Sequence, residues 1–208
     1  MATPGDVLAF WFEEPARTDE DHRRKIKRWF NGGPAMDEVI RERFGREVEL
    51  ALEGKLDDWA DTAAGTMALV LLLDQFTRGI YRDTARAFAG DARAQASAAR
   101  AFDNGTDREL DWPEKMFLAM PFLHAENDAL QSRAVATMER LQQEAPAEHK
   151  MMFAGAVEQA RKYQDIIRRF GRFPHRNGFL GRESTPEEVE FLKDWATKAA
   201  PSTVKDKP

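Results

Sequence analysis

Residues 165–182, DIIRRFGRFPHRNGFLGR, gather Arg168, Arg169, Arg172, Arg176 and Arg182 with His175 at a helix end and the loop after it. Gly171, Pro174, Gly178 and Gly181 restrict that loop, so the guanidinium groups stand on a structured turn. Arginine forks suit bidentate contact with carboxylate or phosphate, which lysine does not reproduce. A helix C-terminus is offset by one or two cations, and Asp165 is placed to pair with Arg169 one turn on, so a surplus of positive charge remains. That surplus has two possible uses: binding an acidic ligand, or internal ion pairs in which Arg172 and Arg176 clamp Asp74, Glu126 or Asp128.

Two further places set polar residues in apolar helices. In MALVLLLDQFTRGIYR, Asp74, Gln75 and Arg78 end the most hydrophobic run of the chain. Helical spacing puts Asp74 and Arg78 on one face, as a local ion pair or as part of a pocket, and a charge in so apolar a helix needs partners. In PFLHAENDALQ, His124, Glu126 and Asp128 are competent for general acid–base chemistry or for a single metal. No second histidine stands at ligand spacing on the same helix, and Glu126, Asn127 and Asp128 are also what a helix N-terminus attracts. The candidate ligand-binding set is therefore Asp74, Gln75, Arg78, His124, Glu126, Asp128, Arg169, Arg172, His175 and Arg176, with no metal and no cofactor expected.

The elements that must position these residues read as helices. Thr3 and Pro4 open a short aromatic helix with Val7, Phe10 and Trp11 on one face. Pro34 opens a longer pattern that stops at Gly54, and Asp91 caps an alanine-rich one that ends at Gly105. Pro146 precedes the longest pattern, in which Phe153, Val157, Ala160, Tyr163, Ile167 and Phe170 recur every three or four residues until Gly171 stops it. Thr185, Pro186 and Glu188 spell a capping box for the last helix. No run alternates in polarity as a strand would, so the fold class is all-α, about ten helices in antiparallel pairs. A loose echo of about 50 residues, ALEGKLDDW against AFDNGTDRELDW, fits a stack of helix pairs.

A chain of 208 residues with 42% hydrophobic content can bury one substantial core, here assigned to a single domain over 1–200 with a frayed tail at 201–208. The run Met67 to Leu73 is too short to span a bilayer, and the N-terminus lacks the cationic region of a secretory signal. Without cysteine, disulfides, thiolate metal sites and cysteine nucleophiles are excluded; a cytoplasmic location is expected. A net charge of −5 argues against nucleic-acid binding, and the basic segment His22 to Phe30 reads as a solvated helix whose acidic start, Asp19 to Asp21, complements the dipole. Phe10, Trp11, Phe12, Trp29 and Phe30 are expected in the core rather than on an exposed dock. A homodimer is the default for assembly.

DVLAFWF, LVLLLDQFTRGIYR, AFAGDARA, MPFLHAEND and DIIRRFGRFPHRNGFLGRESTPEE, in this order, resemble the bacterial family known as domain of unknown function 924. The resemblance implies a TPR-like helical architecture and no established activity. It implies shared polar positions at Asp74, Gln75, Arg78, His124, Glu126, Arg172, His175 and Arg176. Gly79 stands where the family usually has asparagine, and HAEND where it more often has HSED, so no role passes to those side chains. The expected function is capture of an acidic small molecule or a peptide carboxylate through Arg78, Arg172 and Arg176. The alternative is an enzyme for an anionic substrate, using His124 or His175 with Asp74, Glu126 or Asp128.

Overall fold

The structure, a computed structural model, describes residues 1–12 and 19–199; the tail at 201–208 expected to fray lies outside them. Among the described residues the chain is helical and contains no strand. Helix α1 is Pro4–Phe12, α2 Asp19–Asn31, α3 Gly33–Leu52, and α4 a continuous helix over 63–80. There follow α5 Asp91–Asn104, α6 Trp112–Leu123, α7 Asp128–Glu144, α8 Ala147–Phe170 and α9 Pro186–Ala199. No described helix is long and apolar enough to cross a membrane.

Local chemistry sets most of these boundaries. Thr3 caps α1 by accepting from the Asp6 N–H at 3.3 Å, while Asp6 Oδ2 accepts from the Thr3 N–H at 2.8 Å. Thr185 and Glu188 make the corresponding reciprocal pair at α9, at 3.2 and 2.8 Å. Gly105 and Gly171 take the left-handed conformation that ends α5 and α8, with φ of 82° and 70°. Asp91 differs from expectation by one position: it is the first residue of α5, and Gly90 is the cap. The two Leu-Asp-Trp echoes are also not equivalent. Trp59 lies in a 3₁₀ turn ahead of α4, whereas Trp112 is the first residue of α6.

Helix α4 is the centre of the molecule: Met67 through Asp74 are all buried. Its middle, Leu71–Phe76, is a π-helical turn, wider than the α-helix on either side. Phe10, Trp11, Phe44, Phe76 and Phe117 surround it in edge-to-face and tilted contacts. Phe10 and Trp11 are core residues as expected, but Phe30 is 53% exposed. Behind α8 a smaller cluster of Ile166, Ile167 and Phe173 packs with Phe170, Phe191 and Trp195, which seats α9.

Close backbone approaches bring the site together. A Cβ on Gly90 would lie 2.2 Å from the Leu73 carbonyl oxygen, so only glycine lets the start of α5 rest on the π turn. Gly79 performs a similar service on the other side of α4. A Cβ there would meet Asp37 Oδ1 at 2.9 Å, and Asp37 is clasped by both Nε and Nη2 of Arg82.

Candidate functional site

Asp74 is fully buried on the π turn. Its Oδ1 meets His124 Nδ1 at 2.7 Å and Arg78 Nη1 at 3.0 Å, and its Oδ2 accepts from Gln75 Nε2 at 2.5 Å. Burial alone would push this carboxyl up, but the charge of Arg78 and the contacts with His124 and Gln75 outweigh it and hold the group well below the usual carboxylate range. His124 moves down because burial and the nearby Arg78 cation oppose a second positive charge, against the pull of Asp74. The pair is therefore an ionised carboxylate and a neutral imidazole. A carboxylate can only accept, so Nδ1 carries the proton and Nε2 keeps a lone pair with no protein partner.

Arg78 joins this pair to α5. Its Nη1 also donates to the Asp74 carbonyl at 2.6 Å, and Nη2 donates to Asp91 Oδ2 at 3.1 Å. Arg176 Nη1 lies 3.6 Å from the same carboxylate, with its guanidinium between the rings of Phe88 and Phe173 at 4.6 and 4.5 Å. Burial, with Asp74 adding to it, raises the Asp91 carboxyl against the pull of Arg78. Two carboxylates and two guanidinium groups thus balance around a neutral histidine.

Gln75, Arg78 and His124 open onto a cavity of about 580 Å³. Gln159 and Tyr163 complete its polar side. The remaining wall is apolar and rich in thioethers, with Trp29, Leu123, Met116, Met120, Met138 and Met152 inside and Ile26, Phe30 and Met151 at the solvent edge. Helices α2, α4, α6, α7 and α8 supply this lining.

The other expected site residues stand elsewhere. Arg172 gives Nε and Nη2 to Glu188 at 2.7 and 2.8 Å and a further bond to the Glu183 carbonyl, so it ties the loop to α9 rather than clamping Asp74, Glu126 or Asp128. Glu126 is held bidentately by Arg182 at 2.6 and 2.9 Å and accepts from the Phe173 N–H at 2.8 Å. Asp128 pairs with Arg168 at the surface, and Arg169 with Glu187 instead of Asp165. His175 stacks on Trp195 with ring centroids 4.9 Å apart; burial, reinforced by Arg176, pushes it down to about 4. No cluster of three or more His, Asp or Glu side chains able to hold a metal occurs among the described residues.

Sequence reasoning overlooked Asp91 as a site residue, along with Tyr163, Gln159 and the methionines. The available signal was the spacing of Met116 with Met120 and the Met151–Met152 pair, which repeat on helices flanking His124.

An all-helical protein with an apolar cavity closed at one end by a balanced charge cluster is the class that fold and site define. The chain belongs to the family described as bacterial protein of unknown function (DUF924), whose pattern matches residues 7–195. It is similar to a solved structure described as a protein of unknown function, ATU0120, from Agrobacterium tumefaciens. The identity is 34% and the TM-score 0.77, over 92% of this chain and 97% of that one. No curated protein matches it.

Proposed function

We propose that the protein binds a small organic acid, with the acid group meeting His124 and Arg78 at the polar end of the cavity. The observation that carries this reading is the open Nε2 of His124 beside a guanidinium at the end of a 580 Å³ apolar cavity. Arg172 and Arg176 drop out of the expected set of ligand contacts, since both are engaged within the protein. A π turn under the site supports the same reading, because such turns recur at functional positions. A cytoplasmic location and the TPR-like stacking of helix pairs, whose concave faces suit ligands, belong to this proposal.

Thermal shift across monocarboxylates, dicarboxylates and acidic peptides tests it. A ligand at a hundredfold excess over its Kd should raise Tm by roughly 5 to 11 °C at this size. His124→Gln should keep a bond to Asp74 while losing about tenfold or more in affinity. An unchanged affinity in that variant would remove His124 from the site.

A second reading is supported by the Asp74–His124 contact itself. A carboxylate that fixes the tautomer and leaves Nε2 free is the arrangement of a general base, able to take a proton from water or from a substrate held by Arg78. Turnover of an ester panel that vanishes in His124→Gln would favour it; equal turnover in both proteins would dismiss it.

A further inference from the structure

Five of the chain's eight methionines, Met116, Met120, Met138, Met151 and Met152, line one cavity. Methionine is unbranched, polarisable and has three rotatable bonds, so a wall built from it repacks around guests of variable shape. Small polar acids gain nothing from such a wall. The opening carries the same character: Ile26, Phe30 and Met151 are exposed at 47%, 53% and 83%, an arrangement that lets an apolar body pass from water to the interior without crossing a polar collar.

The polar end sets the charge of the guest. Asp74 and Asp91 are offset by Arg78 and Arg176, and His124 is neutral, so the cluster has no standing surplus for a dianion. One negative charge can be accommodated by one added proton on His124 Nε2, which then donates to it. A phosphate would bring a charge of about −1.5 to −2 at neutral pH and exceed that capacity.

Resting on the acid-binding reading above, we infer that the cavity takes a monocarboxylic acid with a flexible apolar chain, of the medium-chain fatty-acid type. The carboxylate faces His124 and Arg78, and the chain lies among the methionines toward Phe30 and Met151.

Calorimetric titration of the full chain with butanoate, hexanoate, octanoate and decanoate, alongside decanol, succinate and octyl phosphate, tests this below micellar concentrations. Each added methylene should tighten Kd by about fourfold until the cavity is full. Decanol, succinate and octyl phosphate should each bind at least tenfold more weakly than the matching monocarboxylate. Gly155→Leu places a side chain where a Cβ meets nothing within 4 Å, and Ala156→Phe fills the adjacent lining position. Either variant that folds should move the plateau to a shorter chain while leaving butanoate unaffected. Equal affinity for butanoate and decanoate, or for octyl phosphate and octanoate, overturns the chain-bearing monocarboxylate but leaves acid binding standing. Decanol binding as tightly as decanoate overturns the acid reading itself, and no binding of any carboxylate overturns both. Unaltered decanoate binding in both variants places the ligand elsewhere and also overturns the inference.

Discussion

His124 is the residue at which the protein's surroundings decide a protonation state. Its unperturbed pKa would leave a fraction charged at neutral pH, yet burial keeps it neutral and Asp74 fixes the proton on Nδ1. Nitrogen-detected NMR should show that single tautomer at pH 7. Asp74→Asn should lower the His124 pKa further, because the lost carboxylate was the main group raising it. A bound carboxylate acts in the opposite direction and raises it. Affinity for the acid should therefore be greatest below the free pKa and fall by up to tenfold per pH unit as the pH rises through the bound one, measurable by titration at several pH values. Asp74, 50 residues away in sequence, gave no hint of this contact, since the pairing exists only once α4 and α6 pack. The Asp74–Arg78 pair was legible because helix geometry alone brings residues four apart together. The arginine concentration in 165–182 was visible too, but its targets Glu188, Glu126 and Asp91 are tertiary, and Arg172 and Arg176 came to rest in roles other than ligand contact.

At the scale of elements, the start of α5 and the π turn of α4 form a single joint. Gly90 sits against the Leu73 carbonyl and delivers Asp91 to Arg78. Gly90→Ala must push the two helices apart and should cost about 1–3 kcal/mol in urea unfolding, while loosening the Arg78–Asp91 contact. Capping signals at Thr3, Thr185, Gly105 and Gly171 were readable because each acts within one turn of its own residue. The π turn was not, since LLLDQF satisfies the preferences of an ordinary α-helix and its widening is imposed by what packs around it.

For the whole molecule, several buried titrations share one sign. His175 is pushed down to about 4 and His124 is lowered as well, whereas unfolded histidine titrates near 6.5, so the unfolded chain takes up protons first on acidification. The hydrogen bond from Arg172, against a smaller burial penalty, brings Glu188 down to about 2, and Asp74 is also depressed; unfolded carboxyls titrate near 4. Stability should be fully present above pH 6.5, fall between 6.5 and 4 through the histidines, and fall again between about 4 and 2 through the carboxylates. Denaturant midpoints across that range check it. His175→Phe, which retains a ring on Trp195 and removes a buried nitrogen without a partner, should flatten the upper window; Glu188→Gln should flatten the lower. The all-helical class was legible from periodicity, and the cavity was not, because it is a gap between five helices whose methionines read singly as core. The π turn also bears on heredity. A wide turn closes over one residue more than an α-turn, so the position of Asp74 is encoded partly in the length of the segment. A single-codon deletion within 71–76 would restore a regular helix while rotating everything after it out of register, leaving every side chain of the site present in the gene and none facing its partner.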